Sequence, residues 1–277
     1  MFQPRIADQV GRPLPQQLLA EAYLVSGRPS YFGGFVSFNN KRLYQTWARL
    51  IEAVRSNRPV GWDPDKQRSF FDSDEAVISI DFYEAMHSLS TPTGQAITEI
   101  ADIASWSRLL DLGGGSGAID IELCKAYPHL HCTVLDLPGV VGFASAKIDA
   151  AGLSERIDTV ALDLFDAPTY PHGYDVAVLS LIMHSFTEEQ DRSILAKCFE
   201  CLPSGGTLLI SELLVNDDKT GPAPAALMSL TMLIEDVGRN YTAAEYTEWL
   251  DEAGFREPQR YEVDAPGSNG ILIAHKP

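Results

Sequence analysis

The stretch from Arg108 to Ala118 reads RLLDLGGGSGA and constrains the fold more than any other part of the chain. Leu109, Leu110 and Leu112 flank Asp111 in an apolar run suited to a buried strand. That run breaks into Gly113, Gly114, Gly115, Ser116 and Gly117. Glycines let the backbone turn sharply and approach a ligand without Cβ atoms in the way. Ile119, Leu123 and Tyr127 follow at a helical spacing that Pro128 ends. Strand, glycine loop and helix together predict the nucleotide-binding corner of a doubly wound α/β sheet. The loop alone leaves the nucleotide open. Gly113, Gly115 and Ala118 also satisfy the dinucleotide pattern G-x-G-x-x-G/A, with Asp136 downstream at a spacing that suits a ribose.

Before this corner the pattern is helical. Residues 1 to 18 are polar and carry Pro4, Pro13 and Pro15, which reads as an arm. Gly27, Pro29, Gly33 and Gly34 mark a turn, and Leu43, Trp47, Leu50, Ile51 and Val54 then form one apolar helix face. Two further helices are expected, over 75–88 and over 91–103, the second with Pro92 in its first turn.

After the corner, strands and helices alternate, which argues for parallel βαβ units. Strands are expected at His131–Asp136, Ile157–Asp163, Tyr174–Met183 and Gly206–Val215. Capping-box pairs Thr187/Gln190 and Thr242/Glu245 open helices, Gly254 stops the second of these, and Gly152 closes the helix over Val140–Ala151. The C-terminus alternates as two strands, Arg260–Val263 and Gly270–His275.

Charge narrows the partners. The 21 basic and 38 acidic residues leave a formal net charge of −17, the wrong sign for nucleic acid or an anionic membrane surface. The start of the chain shows no charged-then-apolar signal pattern, and no apolar run approaches the ~20 residues of a membrane span. A cytoplasmic protein is expected. Cys198 and Cys201 form a C-x-x-C inside a helical pattern without a second ligand pair, so no metal site is expected.

DLGGGSG resembles motif I of the class I S-adenosylmethionine-dependent methyltransferases. With DLP at Asp136 to Pro138 and DLF at Asp163 to Phe165, the chain is similar to the small-molecule O-methyltransferases of plant phenolic and bacterial natural-product pathways. The resemblance spans about residues 20 to 275 and implies a seven-stranded Rossmann-like sheet with a C-terminal antiparallel hairpin. It divides the chain into a helical region over 1–90, for dimerisation and substrate cover, and a catalytic domain over 91–277. A homodimer is expected. The family's usual winged-helix domain has no counterpart in this sequence.

The resemblance also implies roles. Gly113, Gly115 and Gly117 approach the cofactor S-adenosylmethionine, and Asp136 with Leu137 holds its ribose. Asp163, Leu164, Phe165 and Phe186 face adenine, and Asp111 and Ser180 complete the cofactor contacts. His184 falls where the family has the general base that takes the acceptor's hydroxyl proton. A neutral imidazole with an unperturbed pKa of ~6.5 is suited to that step. Glu212 matches the glutamate that orients the histidine, and Asn240 occupies the position of a second glutamate. Phe82, Met86, Met183, Met228 and Met232 match the apolar wall for an aromatic acceptor.

Two departures stand out: Asn240 lacks a charge, for which Glu235 or Asp236, a turn earlier, is a candidate substitute, and Ser185 replaces the family's Asp or Asn. They admit C- or N-methylation, or a non-methylating relative that uses the cofactor as a fixed charge. A nicotinamide-dependent oxidoreductase and a non-catalytic binding protein are the remaining alternatives.

Overall fold

The computed structural model describes residues 15–28, 30–67, 70–72, 80–100 and 103–277. The expected N-terminal arm lies outside these residues as far as residue 14, and residues 15–18 already belong to helix α1 (Pro15–Tyr23). Helix α2 (Gly33–Phe38) runs through a π-helical turn (Asn39–Leu43) into α3 (Tyr44–Trp47), and α4 (Leu50–Ser56) follows. The expected continuous apolar face is therefore broken at residues 48–49. Leu43 is buried, Trp47 and Leu50 pack in small clusters, and Ile51 and Val54 are exposed.

Where two helices are expected on either side of residue 90, the structure has one, α5 (Ile80–Ile100), with Pro92 inside it. Proline in a helix interior removes one backbone hydrogen bond and normally breaks the helix. Here tertiary packing offsets that cost. Tyr83, Ala85, Leu89 and Ile97 are buried, and α5 packs against α2 and against the helix that follows the glycine loop.

That loop opens the sheet. In chain order the elements are β1 (Arg108–Leu112), α6 (Ala118–Ala126), β2 (His131–Asp136), α7 (Val141–Ala150), β3 (Ile157–Ala161), β4 (Val176–Ser180), α8 (Glu188–Cys201), β5 (Thr207–Glu212), α9 (Ala223–Glu235), α10 (Ala243–Ala253), β6 (Arg256–Ala265) and β7 (Ser268–His275). The seven strands lie in the order β3-β2-β1-β4-β5-β7-β6. The first five are parallel, and β7 runs antiparallel to both β5 and β6. The expected α/β sheet with its terminal hairpin is present. Both capping boxes are closed, and Gly152 and Gly254 take left-handed φ angles of 71° and 106° at the helix ends.

Strand β4 is shorter than the apolar run that predicts it. Leu181 turns the chain with a φ of 55°, and Met183–Ser185 forms a 3-10 turn. The run is nonetheless buried on both sides, as a central strand must be. Val176 and Val178 join the cluster under α6 and α7, while Ala177 and Leu179 join the one under α8 and α10.

The chain goes one way from β1, to β2 and β3, and the other way from β4. Between the carboxyl ends of those two strands lies the switch point where ligands of open α/β sheets bind. All four cysteines are free and buried. Among the described residues no helix is long and apolar enough to cross a membrane, and no cluster of His, Cys, Asp and Glu is placed to hold a metal ion.

Candidate active site

A cavity of about 260 Å³ opens at this switch point. Its floor is the glycine loop. Gly113, with a φ of 72°, donates its N–H to Leu135 O at 2.7 Å, and a Cβ there would lie 2.4 Å from Ile182 Cδ1. The loop after β1 thus packs closely on the Ile182 side chain after β4, and its left-handed φ favours glycine at residue 113. Gly115, also left-handed, donates to Asp136 Oδ2 at 2.8 Å, and Leu137 N–H donates to Asp136 Oδ1 at 2.7 Å. Burial pushes the Asp136 carboxyl up to about 6, against the pull of those two N–H groups. Each oxygen keeps acceptor capacity for a further donor.

Deeper under the loop, burial and then the neighbouring Asp120 carboxyl hold Asp111 well above the ordinary aspartate range. At the other end, Asp163 Oδ1 accepts from Phe165 N at 2.8 Å, which sets the DLF turn. Phe165 meets Phe186 edge to face with ring centroids 4.8 Å apart. Ser180 Oγ, at the end of β4, is buried on the cavity wall and has no hydrogen-bond partner among the described residues.

Of the eleven residues expected to bind cofactor, ten line this cavity; Gly117 stands behind it as the left-handed N-cap of α6. Phe82 and Met86 line it as well. The three other methionines expected there do not. Met183 is fully buried in the core, and Met228 and Met232 lie on α9 outside the lining. The sequence reading missed Tyr83 and Ser90, which share the α5 face of Phe82 and Met86, and helical spacing could have found them. It also left Ile182, Gln190 and Val237 unassigned on the wall, where no local pattern marks them.

His184 sits in the 3-10 turn just past β4 and is nearly enclosed, its side chain 7% exposed. Its Nδ1 lies 2.6 Å from Glu212 Oε2. The other carboxylate oxygen, Oε1, accepts from the N–H groups of Ile182 at 3.0 Å and Met183 at 3.1 Å, and the His184 N–H lies 3.5 Å away. One glutamate at the end of β5 therefore fixes both the turn and the ring. Burial alone would lower the imidazole pKa, but the charge of Glu212, its hydrogen bond and the charge of Asp236 override it and raise the value. With Nδ1 donating to Glu212, Nε2 of the neutral ring carries the lone pair.

Asn240 bonds elsewhere. Its amide donates to Leu213 O at 2.7 Å and its backbone N–H to Ser229 Oγ at 2.9 Å, so it ties the segment after α9 to the end of β5. Gly238 lies against the His184 turn, and a Cβ there would fall 2.2 Å from His184 O and 2.5 Å from Phe186 N. Gly238→Ala is expected to destabilise the fold by about 1–3 kcal/mol, the usual cost of overpacking. Thermal unfolding of the variant checks this.

An O-methyltransferase domain model matches residues 47–256. The 3-hydroxy-5-methyl-1-naphthoate 3-O-methyltransferase of Streptomyces sahachiroi is 46% identical over 258 residues, which cover 93% of this chain and 74% of that protein. The tetracenomycin 8-O-methyltransferase TcmO of Streptomyces glaucescens is 30% identical, over 93% of this chain and 75% of that protein. The crystal structure of human N-acetylserotonin methyltransferase in complex with S-adenosylmethionine superposes with a TM-score of 0.81 at 26% identity, covering 93% of this chain and 74% of that one.

Fold and site thus define a methyltransferase that uses S-adenosylmethionine. More narrowly, the chain belongs to the O-methyltransferase family. Its cavity suits the cofactor chemically: left-handed glycines, carboxylates at Asp136 and Asp163, an unpartnered hydroxyl at Ser180 and an aromatic pair at Phe165 and Phe186.

Proposed function

We propose that the protein methylates a hydroxyl group of a small aromatic acceptor, with His184 as general base and Glu212 as its orienter. The observation that carries this reading is the buried contact of 2.6 Å between His184 Nδ1 and Glu212 Oε2, in the turn that follows the cavity-wall residues Ser180 to Ile182. S-adenosylmethionine supplies the methyl group, already activated on its sulfonium sulfur. The Nε2 lone pair of His184 takes the acceptor's hydroxyl proton, and Glu212 stabilises the imidazolium that results. Holding acceptor and donor in one closed site supplies much of the remaining acceleration. The naphthoate enzyme of Streptomyces sahachiroi gives the reading its acceptor class. Phe82 and Met86 of α5 supply an apolar wall for such a ring.

The cofactor roles follow the same logic. Asp136 takes the ribose hydroxyls on its free lone pairs, Leu137 follows it, and Phe165, Leu164 and Phe186 flank adenine beside Asp163. Asp136→Ala is expected to weaken S-adenosylhomocysteine binding by about 10- to 100-fold, as for loss of a hydrogen bond to a charged group. Calorimetric titration reads this directly, with NADH as a ligand expected not to bind.

The helical region up to residue 90 serves as substrate cover and as the interface of a cytoplasmic homodimer. Its outer side supports the second role: Leu18, Leu19, Val36, Tyr44, Ile51 and Val54 are all exposed. Large apolar side chains left exposed on several helices of one region are what an association surface would cover. Turnover of a hydroxyaromatic panel with the cofactor, read as the methylated product, tests the reaction.

A further inference from the structure

Ser185, one of the two departures from the family pattern, meets Asp236, which together with Glu235 is the sequence's candidate substitute for the charge missing at Asn240. Asp236 follows the last residue of α9, with its N–H on Met232 O at 2.6 Å and an extended φ of −145°. The residue is only 5% exposed, yet it lines the cavity, which Asn240 does not. Its Oδ1 accepts from Val237 N at 3.0 Å, and the Ser185 hydroxyl also favours its charged form. Two residues on, Gly238 packs directly on the backbone of His184 to Phe186. The segment bearing Asp236 is therefore fixed against the turn bearing His184.

We propose that Asp236 is the second carboxylate of the proton-accepting site, a positioning residue that acts on His184 from the cavity side in place of position 240. The proposal rests on the reading of His184 as the base. Two elements present charge to the imidazole: Glu212 from β5, and Asp236 from the segment after α9. Behind Glu212 stand Asp191 of α8 and Tyr246 of α10, and beside Asp236 stands Glu235, paired with Arg42 at 2.7 Å. Burial pushes Asp236 up to about 7, and the charge of His184 pulls it down, so the two groups titrate as neighbours. Arg42 already neutralises Glu235, which leaves Asp236 as the carboxylate on the cavity wall whose charge acts on the ring.

The test is the pH profile of kcat for Asp236→Asn, Asp236→Glu, Asn240→Ala and His184→Ala, with S-adenosylhomocysteine affinity measured beside it. Removing a negative charge near an imidazole lowers its pKa. Asp236→Asn is therefore expected to move the acid limb of kcat to lower pH and to cut the plateau about tenfold, while cofactor affinity holds within about twofold. Asp236→Glu is expected to restore the limb. A uniform loss without movement of the limb overturns the proposal, as does a limb moved by Asn240→Ala and not by Asp236→Asn. Retained turnover in His184→Ala would instead remove the base reading on which the proposal rests.

Discussion

His184→Ala is expected to lower kcat by about 10²- to 10⁴-fold, the usual contribution of a positioned general base. Affinity for S-adenosylhomocysteine should stay near that of the unaltered protein, because His184 is absent from the lining that holds the cofactor contacts. Single-turnover kinetics with saturating cofactor isolates the chemical step, and calorimetry supplies the affinity. The split between the two readouts matters more than either alone. A variant that loses turnover and cofactor binding together has lost its fold locally, and says nothing about proton transfer.

The second large effect is expected at Glu212, which does two jobs that separate by substitution. Its Oε2 meets the His184 ring, and its Oε1 gathers the N–H groups of Ile182 and Met183. Glu212→Ala removes both, leaving buried donors unpaired, and is expected to cost about 3–5 kcal/mol of stability, as for a broken buried pair. Glu212→Gln keeps an oxygen for the backbone donors but offers the ring an amide. If that amide donates to Nδ1, the proton of the neutral imidazole moves to Nε2, the wrong tautomer for a base. A kcat loss on the order of 10²–10⁴ is expected, as for tautomer loss in a Ser-His-Asp triad, with a much smaller drop in thermal stability. Parallel melting curves and rates for the two variants check it.

The sequence was legible where a local rule has only one structural solution. A strand that breaks into DLGGGSG can only turn there, and three of its four glycines, Gly113, Gly115 and Gly117, do adopt left-handed angles. Thr187 with Gln190 and Thr242 with Glu245 cap because side chain and backbone meet three residues apart. It was less legible where tertiary packing decides. Pro92 predicts a helix boundary, yet burial on both sides of α5 carries the helix through it.

Met228 and Met232 illustrate another limit. Helix α9 reads APAALMSLTMLIE, apolar nearly all round, so its sequence does not say which face meets a cavity. Met183 follows an apolar strand but lies beyond a left-handed Leu181, which turns it into the core. The sequence offers Glu235 and Asp236 together and does not choose between them. The choice depends on how the end of α9 docks, with Arg42 pairing Glu235 and Gly238 packing on the backbone of the His184 turn.

The most direct test of the account is the site of methylation. The purified protein would be incubated with S-adenosylmethionine carrying an isotopically labelled methyl group and a panel of hydroxynaphthoic and other hydroxyaromatic acids. Products would be resolved by mass spectrometry and NMR. The account predicts one labelled methyl on a ring hydroxyl oxygen, one S-adenosylhomocysteine released per product, and loss of both in His184→Ala. A labelled methyl on carbon or nitrogen, or acceptor conversion without methyl transfer, would contradict it.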